Sequence, residues 1–334
     1  GWRVPQCQAE LELRQRGLAI LDAYPVYTVH SPNVRAQTHT CTEGGVTYTR
    51  TRIQSPAGEL TTVHRGGGGA KTESTSWRVE LMFKGPQDYK AVEALYLDRR
   101  YEPCYEGFRR AQEQVGDEAY FKTTAPGSPL HDIIYGIMGI DTFAVEWAER
   151  RDAVLRLHEV IERTQRPIWP IVARGPATVV QCGGNYSPQV LGRQRFLDFV
   201  LPHWEQAGAI LHEEGKLLGS HLDADNALWA ADIAASPLDW VEAFTPAPDT
   251  DMTLAEARRA WPGKTLYINF PSSVHLAAPQ AIAATTLELV RQSAPGDRFI
   301  IGITENVPEN RWRESFRVIM DTLDECGRLP VAGC

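Results

Sequence analysis

His221-Leu222-Asp223 places an imidazole and a carboxylate one residue apart. On a β-strand, side chains at i and i+2 point to the same face, so this pair can share a proton or grip one cation. Glu242 lies in the next apolar run, and Glu305 closes a later one. One imidazole and three carboxylates at adjoining strand ends suit a divalent metal harder than a thiolate site selects, or zinc with an open position. Without a metal, the same groups shift one another's pKa values and do acid–base work. The candidate catalytic residues are therefore His221, Asp223 and Glu305, and the candidate metal ligands are His221, Asp223 and Glu242. Asn269 and His275 follow a third apolar run, and Asn185 and Tyr186 follow VVQCGG. These four are candidate substrate-binding residues. Plainer roles stand beside these: a structural hydrogen bond for the His-Asp pair, a helix cap for Asp225, a partner in Arg311 or Arg313 for Glu305, and a surface loop for His275.

The elements that must position these groups run from residue 216 to 318. KLLGSHLDADN, DWVEAFTP, KTLYINFPSSVH and FIIGITENVPENR each open as a short apolar run and end in polar residues. An amphipathic helical pattern follows each. Short buried strands alternating with such helices signal βαβ units and a parallel sheet. In a (β/α)8 barrel the C-terminal strand ends and the loops after them build the site. The expected fold is thus an α/β (β/α)8 TIM barrel, one domain over residues 1–334, with an N-terminal β-hairpin elaboration. Residues 46–83 supply that elaboration, because VTYTRTRIQSPAGELTTVHR alternates around the turn signal Ser55-Pro56-Ala57-Gly58. Residues 9–23 read as helix, followed by a strand in YPVYTVH. The glycines at 66–69 lack the Lys-Ser/Thr of a phosphate loop and read as a loop or lid.

Composition narrows the function classes. The net charge of −8 argues against broad nucleic-acid or anionic-membrane binding. No apolar run approaches a transmembrane span, and GWRVPQCQAE has no hydrophobic signal core. The six cysteines are far apart with no CxxC pair, which disfavours a disulfide scaffold or zinc ribbon and points to a reducing, cytoplasmic setting. Cys182, beside a glycine pair, reads as a small buried hydrophobe.

Taken together, KLLGSHLDADNALWAADIAASPLDWVEAFTPAPDTDMTLAEARRAWPGKTLYINFPSSVHL and FIIGITENVPENRWRESFRVIM resemble the uroporphyrinogen decarboxylase superfamily. VELMFKGPQDYKAVEAL, SPLHDIIYGIMGID and LPHWEQAGAILHEEGK are similar to it as well. The resemblance implies a (β/α)8 barrel with its site at the C-terminal mouth. True uroporphyrinogen decarboxylases carry an arginine-rich motif, roughly FMRQAGRY; here AYPVYTVHSPNVRAQTH offers only Arg35. The resemblance therefore leans to the corrinoid-dependent methyltransferase-like branch. Several members of that branch bind zinc through a His-x-Cys pair and a late Cys, where this chain has His221-x-Asp223 and Glu305. Related cobalamin-independent methionine synthases add a Glu on the next strand, which Glu242 resembles in spacing. The implied function is methyl transfer between a small-molecule substrate and a corrinoid carried by a partner protein, with a divalent metal, zinc among the candidates. The alternative is a cofactor-independent decarboxylase of a small carboxylic acid. A homodimer is compatible with either.

Overall fold

The computed structural model describes residues 5–66, 76–303 and 307–331. Glu305 and residues 67–69 of the glycine loop lie outside the described residues. Internal contacts divide the chain into two units: residues 1–26, 105–125 and 172–334 form one, and residues 27–104 and 126–171 the other. In chain order the strands are β1 (Ile20–Ala23), β2 (Tyr27–His30), β3 (Arg35–Glu43), β4 (Val46–Ser55), β5 (Gly58–Gly66), β6 (Ser76–Glu80), β7 (Arg100–Pro103), β8 (Ala119–Ala125), β9 (Val179–Cys182), β10 (Leu217–His221), β11 (Trp240–Phe244), β12 (Thr265–Asn269) and β13 (Phe299–Gly302).

The first unit is built on a parallel sheet in the order β1-β8-β9-β10-β11-β12-β13. Seven parallel strands curl into a half-barrel, a TIM-like arrangement; among the described residues no eighth strand joins this sheet. Alternation along each strand sorts the side chains onto two faces. On the outer face Phe121 meets Tyr24 and Phe108 at centroid distances of 5.6 and 6.1 Å, and Val180, Leu218, Val241, Leu266 and Ile268 are almost fully buried. Such apolar runs are what a helix-covered parallel sheet requires. The inner face instead carries Lys122, Gln181, His221, Glu242 and Tyr267. Two glycines make room on it. A Cβ at Gly219 would fall 1.6 Å from Trp240 Nε1, and one at Gly302 would fall 1.9 Å from Tyr267 Cε2.

The reading of residues 9–23 as one helix needs correction. The helix ends at Gln15, Gly17 takes a positive φ of 107°, and residues 20–23 form β1. A four-residue strand running straight on from an amphipathic helix carries no separate period of its own. The YPVYTVH strand exists as β2, but it pairs antiparallel with β7 in the second unit.

In that second unit β3-β4-β5-β6 form an antiparallel sheet. It begins at Arg35 rather than at residue 46. Strand β3 was hidden because its residues are polar on both faces, so no apolar alternation marks it. Gly44 and Gly45 join β3 to β4 with φ of 58° and 80°, the double positive φ that a two-residue hairpin turn demands. Helix Tyr89–Leu97 lies by the sheet, with Ala91 Cβ against Gly58. It packs on helix Arg151–Gln165 through buried Val92, Val154, Leu157 and Ile161. Tyr89 Oη donates to buried Glu146 at 2.9 Å, and Tyr96 Oη donates to Asp132 at 2.5 Å. Among the described residues no helix is long and apolar enough to cross a membrane.

Candidate functional site

His221 ends β10 directly beside Glu242 of β11 in the sheet register. Its Nδ1 is hydrogen-bonded to Glu242 Oε2, and its Nε2 lies 3.2 Å from Asp223 Oδ2. Glu242 gathers partners from three strands. Besides His221 it accepts from Lys122 Nζ of β8 at 2.9 Å and from Gln181 Nε2 of β9 at 2.7 Å. Lys122 and Glu242 are both buried, while Asp223 keeps about a quarter of its side chain in solvent. The cluster thus runs from the protected interior of the half-barrel, at Lys122, to an open end at Asp223.

Electrostatics follow from these contacts. Burial alone would push the His221 pKa down, but hydrogen bonds and charge from Asp223 and Glu242 override it and raise the value to about 9. Burial likewise favours a protonated Glu242; its His221 and Lys122 partners win and hold the carboxyl below its usual range. At neutral pH the imidazole is therefore a cation seated between two carboxylates. Burial, helped by the Glu242 charge, pushes Tyr267 up to about 12, so its phenol stays neutral. The Lys122 ammonium sits 5.3 Å from the Trp240 ring centroid and 5.9 Å from that of Tyr267. Those two rings stack at 5.9 Å with planes 3° apart. Cation–π attraction adds to the ion pair in holding Lys122.

A strained residue follows the carboxylate directly. Ala243 has φ of 58°, and the β11–β12 register slips between Glu242 and Phe244. A bulge next to a site re-aims a side chain. Regular alternation through Glu242 puts that carboxylate on the inner face, and the bulge after it restores Phe244 to the core, where it is fully buried.

Of the residues singled out by sequence, His221, Asp223 and Glu242 come together. Asn269 ends β12 on the same face as Tyr267, buried, with Nδ2 3.5 Å from Thr245 Oγ1. Asn185 is exposed in the loop after β9. Tyr186 is not a mouth residue: its ring packs edge-on against Phe196 and Trp204 in the core, and its hydroxyl donates to Gly183 O at 3.1 Å. A turn of Gly-Gly-Asn-Tyr carries the chain away from the strand end and folds the ring inward. His275 is no surface histidine either. It is buried between Phe270 and Phe316 with Nδ1 2.6 Å from Ser315 Oγ, and burial lowers its pKa to about 4. Asp225 caps no helix; it accepts from Gln189 Nε2 and from the Asp251 backbone, tying loops together. Burial pushes the Cys182 thiol far up, which leaves it inert. Lys122 and Gln181 escaped sequence reading. The available signal was a lysine inside the apolar run AYFKTTA, where a buried charge needs a partner.

The described residues do not fit a resident metal ion. No three His, Cys, Asp or Glu side chains among them are grouped to hold one. Both ring nitrogens of His221 face carboxylates, and the Lys122 ammonium occupies the position beside Glu242 that a cation would need. Lys122, Glu242, His221 and Asp223 are instead linked in one continuous run of ion pairs.

No family model matches the chain, and no curated protein matches it in sequence. Among solved structures, the fold is similar to that of a methyltransferase from Methanosarcina mazei, with a TM-score of 0.53 and 12% identity over 79% of this chain and 74% of that one.

Proposed function

We propose that this chain is a methyltransferase of the kind its uroporphyrinogen-decarboxylase-like sequence suggests, moving a methyl group from a small heteroatom-bearing substrate to a corrinoid carried by a partner protein. One observation carries the reading: an imidazolium held between Asp223 and Glu242 at the mouth of a half-barrel whose fold resembles a methyltransferase. A corrinoid supplies a strong nucleophile for methyl groups. The steps below involve this chain's own residues alone.

Removing a methyl group from an oxygen, nitrogen or sulfur leaves a poor anionic leaving group. A general acid that protonates the heteroatom as the carbon bond breaks removes that penalty, with typical gains of about 10²–10⁴-fold. His221 is protonated at neutral pH and has its Nε2 proton toward solvent-accessible Asp223. The substrate heteroatom takes that proton in place of Asp223. The methyl group goes to the nucleophile, the demethylated substrate keeps the proton, and His221 is left neutral. Asp223 then relays a proton from water back to Nε2. Glu242, fixed by Lys122 and Gln181, holds the ring in place throughout.

The test mixes the protein with a reduced corrinoid protein and a panel of methylated amines, thiols and phenols, following the corrinoid absorption. Methylation with at least one donor class, reduced about 100-fold or more in His221→Gln, is the expected result. No methylation with any class, together with carbon dioxide release from carboxylic acids in the absence of corrinoid, would replace this reading with decarboxylation.

A further inference from the structure

Strand β3 is an edge. Strand β4 pairs with one side of it, and no described residue pairs with the other. Its nine residues, RAQTHTCTE, run in unbroken register with β4, without bulge, proline or lysine. Every residue except Cys41 is exposed. Long, flat edges recruit further strands, and proteins usually blunt them by shortening, bulging or charging them. The opposite edge is treated that way: β6 has five residues and a register shift at Val63/His64. Strand β3 is not.

The turn fixes which groups face outward. In a two-residue hairpin the closing pair, here Glu43 and Val46, is hydrogen-bonded, and bonded pairs alternate along the ladder. Odd-numbered residues of β3 therefore use their N–H and C=O groups on β4. Ala36, Thr38, Thr40 and Thr42 direct theirs outward. An antiparallel copy of β3 centred on His39 sets Thr38 opposite Thr40 and Ala36 opposite Thr42, which satisfies all four in both strands. The same register places Arg35 opposite Glu43 at each end. Neighbouring in-phase registers oppose Arg35 to Cys41 or to Gly45 and lose that charge match. The centred register also prolongs a threonine ladder already present, with Thr38 Oγ1 3.2 Å from Thr51 Oγ1 and Thr40 Oγ1 3.4 Å from Thr49 Oγ1.

We propose that this edge binds a second copy of the chain, β3 against β3 about His39, making one continuous eight-stranded antiparallel sheet from two four-stranded halves. The occupant is the same chain because the edge is complementary to itself in charge and in hydrogen-bond phase at a single register.

Sedimentation velocity of the full chain over a concentration series tests this. The wild type is expected to dimerise as concentration rises. Thr40→Pro removes an outward N–H and leaves the β3–β4 ladder intact; Arg35→Glu puts like charges at both ends. Each should weaken the dimer at least tenfold with an unchanged circular dichroism spectrum. His39→Cys in a Cys41→Ser background should give a disulfide-linked dimer on mild oxidation, because directly opposed non-bonded residues lie about 4.5 Å apart at Cα, within disulfide reach; Cys41→Ser alone should not. A monomer at every concentration, as for an edge that takes a foreign peptide, overturns the proposal. So does a dimer indifferent to Thr40→Pro and Arg35→Glu, or a His39→Cys protein that fails to cross-link.

Discussion

His221 has a carboxylate at each ring nitrogen, so its charge is set before any substrate arrives. A folded pKa raised to about 9 from the ordinary 6.5 has a definite linkage sign. The stabilisation is fully present below about pH 6.5 and is lost as pH rises through about 9. Urea midpoints of wild type and His221→Gln should therefore converge across that window, with a difference on the order of 2–3 kcal/mol at its acid end. A constant difference from pH 6 to 10 would show that the imidazole is not charged by its neighbours. Lys122 and Glu242 form a buried pair, and removing one member of such a pair costs about 3–5 kcal/mol because the other charge is stranded. Lys122→Met should lose about 3 kcal/mol in chemical denaturation, and Lys122→Met/Glu242→Gln should recover part of it.

The elements do the aiming. Ala243 holds a left-handed backbone conformation that costs roughly 1 kcal/mol for a residue with a Cβ. Ala243→Gly should therefore preserve or raise the melting temperature, whereas Ala243→Val, β-branched at a positive φ, should lower stability by about 2 kcal/mol or more and turn Glu242 away from His221. A melting temperature the same for Gly and Val would deny the bulge this role. Gly219 answers a different need: its φ is ordinary, but a Cβ there would overlap the Trp240 indole. Gly219→Ala should cost about 1–3 kcal/mol by overpacking, visible in thermal melts together with a changed indole fluorescence, since Trp240 roofs Lys122.

Across the whole molecule, legibility followed pattern. Strands β10 to β13 announced themselves because each is an apolar run bounded by polar residues and followed by a helix. The His221, Asp223 and Glu242 grouping followed from strand periodicity and adjacency alone. Strand β1 was lost because its four residues merge with a helical pattern, and β3 because both its faces are polar. Lys122 and Gln181 were missed because nothing local says that an isolated lysine in β8 faces a glutamate more than a hundred residues later in the chain. Tyr186 and His275 misled in the opposite way: a polar residue after a strand was read as lining the mouth, although each finds a partner in the core. What joins the well-read strands to the missed ones is a single curled sheet that brings β8, β9, β10 and β11 to one cluster. NMR titration of the His221 imidazole tests that convergence most directly. An apparent pKa near 9 is expected in the wild type, falling by at least one unit in Glu242→Gln. A value near 6.5 that Glu242→Gln leaves unmoved would contradict it.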